Sequence, residues 1–521
     1  MSHPTTDPAP QDAYAHEQEG FHKSLSGRQV QMIAIGSAIG TGLFLGAGGR
    51  LATAGPSLFL LYALCGFFGY LMLRSLGELV LHRPSSGSFV SYAREFYGEK
   101  AAYASGWLYW MFWSFTAVAD ATALALYFRW FSRYMPLEWI AAIPQWAIAF
   151  AVVILVVSLN LVSVKVFGEM EFWFSLIKVG AILLFLVVGI FFVLFGTPTG
   201  APVGFSLIAE NGGIFPSGVV PAAVMIGGVV FAYAGIELVG TTAGEAADPH
   251  KEIPRAVNSV IFRIAVFYCG SVLLLCLLLP FTAYSADESP FVTFFSSINV
   301  GAAGPLMQLV VITAAMSSMN AGIYSTGRIL HSMSVAGSAP KLAGKINTRG
   351  VPVGGILLTA VMAFIGVALN IFVPEQAFEI VMNIGAVGVM AAWVTIVMSH
   401  RKFVKLSEQG LYQRPSFRSP LGVFGDWLVV GFVVVVLFLM AIDYPVGSWT
   451  LGLVVVVVVP ALVIGWFVVR DRVMEISRTR DSYTDLIPIG TLAMRDDELV
   501  RGAQADGVDP ITSQDPGSDP R

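Results

Sequence analysis

Long apolar runs separated by short polar stretches dominate this chain. Runs of roughly 18 or more apolar residues read as membrane-spanning helices. About twelve can be placed, near 29–51, 56–80, 101–128, 145–164, 172–196, 218–241, 259–283, 299–327, 353–373, 377–399, 424–442 and 447–469. They are numbered here from the first to the twelfth span. Val-rich runs such as Val454–Val459 have strand-like composition, but each lies in a window long enough to span as a helix. The pattern predicts an all-α membrane protein.

Two windows are interrupted where a helix should be most regular. In the first, Ile35–Phe44 carries Gly36, Gly40 and Gly42 with the hydroxyls of Ser37 and Thr41. In the sixth, Val229–Leu238 carries Gly235, the aromatics Phe231 and Tyr233, and the carboxylate of Glu237. Glycine is a weak helix former, so the backbone can open at both places. Open backbone at membrane depth is tolerated only inside protein or along a cavity. With the N-terminus inside, the first span runs outward and the sixth inward. Their interruptions then fall at similar depth, as first members of two five-helix halves of opposite topology. Paired breaks of this kind point to a substrate site. Gly36 and Gly40 alone also fit a small-residue packing motif; the matched pair favours the site.

Two half-helices meeting at mid-depth offer free N–H groups to an anion and unwound carbonyls to a cation. An α-amino acid carries both charges one carbon apart, so the arrangement suits a zwitterion.

Composition agrees with the pattern. Of 521 residues, 56% are hydrophobic and 12% charged, against about 25% charged in soluble domains; mean hydropathy is +0.73. Lys and Arg crowd the connections on one side, while the other side holds only Arg50, Arg129 and Arg133. That bias puts both termini in the cytoplasm. Residues 1–20 and 476–521 are polar and rich in Pro, Gly or Asp, and read as disordered tails around one membrane domain, 21–475. Short helices along the membrane face are expected within the inner connections 81–100, 242–258, 328–352 and 400–423.

The chemistry called for is limited. Cys65, Cys269 and Cys276 all fall inside spans and form no disulfide or metal-ligand pattern. No Gly-Lys-Ser/Thr phosphate loop is present, and no nucleophile, base and orienter stand at plausible spacing. No catalytic residue, metal or cofactor is expected, and no nucleic acid.

Ionisable residues inside spans are costly and are functional candidates by default. They are Asp120 in the third span, Lys178 in the fifth and Glu237 in the sixth. Lys178 either snorkels to the membrane face or exchanges a proton, because burial disfavours the charged form. Asp120 and Glu237 either contact substrate or bond to neighbouring backbone. Arg74 and Glu78, spaced i,i+4 near the inner end of the second span, read as an interfacial ion pair. His82, His331 and His400 lie near inner helix ends and read as solvated. Ser317, Ser318, Asn320 and Asn383 read mainly as helix-stitching polar residues.

At these residues the chain resembles the bacterial amino-acid permeases of the amino acid–polyamine–organocation superfamily, over roughly 20–475. The motifs are His22-Lys23, Ile35–Phe44, Arg74–Leu79, Gly168–Trp173, Phe231–Glu237 and Tyr324–Arg328. A narrower likeness, to the branch that carries L-asparagine, rests on Glu78–Phe89, Ser289–Phe295 and Asp443–Pro445. The resemblance implies a LeuT-like fold: two inverted five-helix repeats, with helices 1 and 6 discontinuous, plus two C-terminal helices. It implies that the substrate carboxylate meets Gly40, Thr41 and Gly42, and the ammonium the carbonyls of Ala38, Phe231 and Ala234, beside Gly235. It implies a gating ring at Phe231 and proton coupling at Lys178. The expected partners are thus a zwitterionic amino acid, a coupling proton and the lipid bilayer. The alternatives are another small neutral amino acid, such as glycine, alanine or serine, or an uncoupled channel or sensor.

Overall fold

The computed structural model describes Gln29, Met32 and residues 39–484, apart from 86, 135, 198–199, 244–247, 299 and 373–376. Among them every regular element is helical. Among the described residues nine helical stretches are long and apolar enough to cross a membrane, and Val219–Ala232 and Val353–Ala368 are shorter apolar helices. The stretch Thr41–His82 covers both the second span and helix in the described part of the first, so each of the twelve windows carries helix among its described residues. The molecule is an all-α, multi-span membrane protein.

Several helices overrun their windows. The third span is a 32-residue helix, Glu99–Trp130, set in the middle of the bundle, with most of its length buried. The fifth runs Val164–Phe195, beginning eight residues before its window. Ser163 sets that start, because its side chain accepts from the Val166 amide at 3.1 Å. The eighth runs Ala303–Val335, the tenth Ala377–Glu408, and the last helix continues to Thr484.

The periphery is apolar. Leu194 and Phe195 of the fifth span and Val456 and Val468 of the twelfth are at least 70% exposed. Helices that are apolar on their exposed faces suit a lipid surround. The expected short helix within 81–100 is present as Ser88–Tyr97. Its Glu95 accepts from Arg83 and pairs with His82 at 3.1 Å. Burial pushes that carboxyl up, but His82 and Arg83 win and hold it below its ordinary value.

Arg50 departs from the sequence expectation. It was expected at an outer loop, yet it lies inside the helix Gly46–Ala54 and is 6% exposed.

Candidate functional site

Beyond Gln29 and Met32, the described part of the first span begins at its break. Gly40 is extended (φ −129°, ψ −159°) and leads into a single turn, Thr41–Phe44, followed by Gly46–Ala54. The amides of Leu43 and Phe44 are the first to bond back, both to the Gly40 carbonyl at 3.2 Å. The amides of Thr41 and Gly42 precede that first intrahelical bond, as the leading N–H groups of a helix do. The Thr41 hydroxyl donates to Asp120 Oδ1 at 2.6 Å. Asp120 is fully buried, and its Oδ2 has no hydrogen-bond partner among the described residues. Ala38 lies outside the described residues.

The sixth span breaks at the matching place. Helix Ile226–Ala232 stops, and the chain resumes as helix at Leu238. Gly235 between them has φ +93°, in the left-handed region that glycine adopts without steric cost. The Glu237 carboxylate secures the turn: Oε2 accepts from the Gly235 amide at 3.1 Å and Oε1 from Tyr109 at 2.9 Å. Glu237 is thus bonded to the break's own backbone and to the third span. Tyr268 donates to the Ala232 carbonyl at 3.1 Å, and Tyr233 to the Tyr62 carbonyl at 2.6 Å.

The two breaks touch. A Cβ added at Gly42 would stand 2.6 Å from the Ala232 Cα, so only glycine admits this approach. A Cβ at Gly40 would stand 3.0 Å from Ser318 Oγ, which brings the eighth span to the same point. Phe231 is buried, with its ring lying over Gly385 of the tenth span, and its carbonyl accepts from the Ala234 amide at 2.9 Å. Ala234 is half-buried. The structure therefore gathers Gly40, Thr41, Gly42, Asp120 and Ser318 on one side and Phe231, Ala234 and Gly235 on the other.

Lys178 is fully buried and does not snorkel. Its Nζ donates to Ser317 Oγ at 2.8 Å, and the Ser317 hydroxyl donates in turn to Glu171 Oε1. Nζ and Glu171 stand 3.9 Å apart. Asn320 and Asn160 extend the chain of bonds, Asn160 donating to Asn320 at 2.7 Å. Glu171 was not singled out from the sequence, because the fifth window began at residue 172. The signal was present: Glu171, Ser175 and Lys178 stand at i, i+4 and i+7, one stripe of a helix. Neighbouring Ser317 and Ser318 thus connect a buried acid–base pair with the first-span break.

A second buried polar cluster sits at the end of the bundle that carries the basic connections. His400 is fully buried between Asp426 (2.7 Å) and Glu78 (3.0 Å). Glu78 also accepts from Arg414 at 2.6 Å and the Ser419 amide at 2.8 Å. The expected interfacial Arg74–Glu78 pair is replaced: Arg74 bonds Asn258 at 2.7 Å and the Arg418 carbonyl, over the Phe417 ring. His331 is likewise buried, against the Gly344 carbonyl. Solvated readings of His400 and His331 missed the packing of the 400–423 and 328–352 connections, respectively, over the helix ends.

Comparisons with known proteins bear on what this arrangement serves. The amino acid permease family model matches residues 29–477. The L-asparagine permease 1 of Mycobacterium tuberculosis is 54% identical over 473 residues, covering 91% of this chain and 95% of the relative. The L-asparagine permease of Salmonella typhimurium is 54% identical over 466 residues, 89% of this chain and 92% of the relative. The Escherichia coli L-asparagine permease is 53% identical over the same length and coverage. A buried contact between two broken spans, in a multi-pass helical chain matched nearly end to end, identifies this protein as a member of the amino acid permease family, a membrane transporter of amino acids and not an enzyme.

Proposed function

We propose that this chain imports L-asparagine across the cytoplasmic membrane together with a proton, with both termini in the cytoplasm. The observation that carries the reading is the approach of Gly42 to Ala232, which joins the two breaks beside Asp120 and Ser318. The amides of Thr41 and Gly42 receive the substrate carboxylate. The carbonyls of Phe231 and Ala234 receive its ammonium. Asp120 Oδ2, buried without a partner among the described residues, accepts from the side-chain amide. The names of the relatives support the choice of asparagine.

Lys178 carries the coupling proton. In the state that faces outward it is charged and held by Ser317 and Glu171; release on the cytoplasmic side lets the first span rock against the fifth and eighth. The membrane domain, 21–475, is surrounded by lipid, and the terminal segments are cytoplasmic tails. Glu237 acts as a positioning residue that holds the Gly235 turn.

The test is uptake of labelled L-asparagine into proteoliposomes under an imposed pH gradient, with a competition panel of unlabelled amino acids. Uptake that survives collapse of the gradient removes proton coupling. Stronger competition by glycine, alanine or serine than by asparagine reassigns the substrate.

A further inference from the structure

Lys178 and Glu171 are wholly buried, so a proton held there leaves along hydrogen bonds. Lys178 Nζ donates to Ser317 Oγ at 2.8 Å, and the Ser317 hydroxyl donates onward to Glu171 Oε1. The ammonium and the carboxylate stand 3.9 Å apart, too far for a bond of their own, so the serine bridges them. Both bonds point the same way, from ammonium to carboxylate. A hydroxyl gives one proton while accepting another, so this chain passes a proton with little movement of heavy atoms.

Position gives the chain a direction. Glu171 lies nearer the start of the fifth-span helix than Lys178, by about 10 Å along the axis. That start lies at the basic end of the bundle, where Arg349 donates to the Val162 carbonyl at 3.2 Å. The charged groups facing Lys178 among the described residues are Glu171 and, from the third span, Asp120. The charge facing Glu171 among them is Lys178. Its other neighbours are neutral: Asn320 reaches Oε2 at 3.5 Å, and Asn160 donates to Asn320 at 2.7 Å. Amides hold the carboxylate but take up no proton, so the chain ends at Glu171. One turn nearer the basic end, Phe167 stacks on Tyr324 with ring centroids 3.6 Å apart, both buried. This aromatic pair lies between Glu171 and that end.

We propose that Glu171 is the acceptor through which Lys178 unloads its proton, by way of Ser317. This rests on the proton-coupled reading above and adds the residue that receives the proton. In the transfer an N–H bond of the Lys178 ammonium breaks and its proton goes to Ser317 Oγ. The Ser317 O–H bond breaks with it, and that proton goes to Glu171 Oε1. The products are a neutral amine, an intact hydroxyl and a neutral carboxyl, so the pair has no net charge before or after the step. Separated charges in apolar surroundings are costly, and the transfer removes them from the fifth span. Glu171 then gives its proton to water admitted from the cytoplasmic side when Phe167 and Tyr324 part, and becomes a carboxylate again.

Proteoliposomes of the full-length chain, filled with a pH-sensitive dye, report acidification of the lumen while labelled L-asparagine enters. The wild type is expected to acidify the lumen in proportion to uptake. Glu171→Gln keeps an oxygen for the Ser317 hydroxyl but takes up no proton, and is expected to carry asparagine without acidification. Ser317→Ala cuts the chain and is expected to do the same, whereas Ser317→Thr keeps the hydroxyl and restores acidification. Structural damage lowers uptake and acidification together, so the ratio of the two isolates the relay. A wild-type ratio in Glu171→Gln or in Ser317→Ala overturns it. A folded Glu171→Gln chain that carries no asparagine makes the carboxylate structural and also overturns it. If that variant does not fold, the alanine and threonine variants of Ser317 decide the case. Asparagine uptake by the wild type without acidification removes proton coupling and the relay with it, whereas acidification by both the wild type and Glu171→Gln removes only the relay.

Discussion

The two buried polar clusters share their chemistry and differ in how completely it is satisfied. At the basic end, both oxygens of Glu78 and both of Asp426 have partners: Arg414, His400 and Ser419 for the first, Ser75 and His400 for the second. At mid-depth, Asp120 has one bonded oxygen and one without a partner among the described residues, beside backbone that is not helical. A buried network whose bonds are all made fixes a packing. One that leaves an acceptor open beside unwound peptide groups has capacity for a ligand. The first cluster holds helices 2, 10 and 11 together; the second is the one proposed to bind substrate and couple it to a proton.

The contrast can be broken or sharpened by substitution. Gly42→Ala should have the largest effect, because its Cβ would overlap the Ala232 backbone; asparagine uptake is expected at background while the protein still elutes as a monodisperse peak. Lys178→Met should abolish the dependence of uptake on the imposed pH gradient and should spare counterflow. Counterflow lost equally with uptake would make Lys178 structural. At the basic end the signs reverse. His400→Ala leaves Glu78 and Asp426 facing each other with less compensation and should cost about 3 kcal/mol of stability, read as a lower melting temperature in detergent. Uptake per folded molecule should stay within about twofold of the wild type. Arg74→Ala, which removes a partly exposed contact, should cost under about 1 kcal/mol.

How much of this the sequence contained depends on range. The spans follow from local apolar windows, and each window carries helix among its described residues. The breaks were visible because glycine acts locally: Gly235 takes a positive φ, and Gly42 admits the Ala232 backbone. Asp120, Lys178 and Glu237 stood out as charges in apolar surroundings, and all three are buried. Glu171 was hidden by a window edge, since the fifth helix starts at Val164 under the Ser163 cap. The His400–Glu78 contact joins residues 322 positions apart. It depends on how the 400–423 connection folds back, which no local pattern encodes. Arg50 was misplaced for a related reason: a charge at the end of an apolar run reads as a loop until a neighbouring glycine, Gly228, is seen to make room for it.

The central claim is that the two broken spans hold one amino acid between them. A structure of the full-length chain determined with saturating L-asparagine tests it directly. The account predicts ligand density between Gly40–Gly42 and Phe231–Gly235, with its carboxylate about 3 Å from the Thr41 and Gly42 amides. A ligand bound only elsewhere, with those amides facing no part of it, would contradict the account.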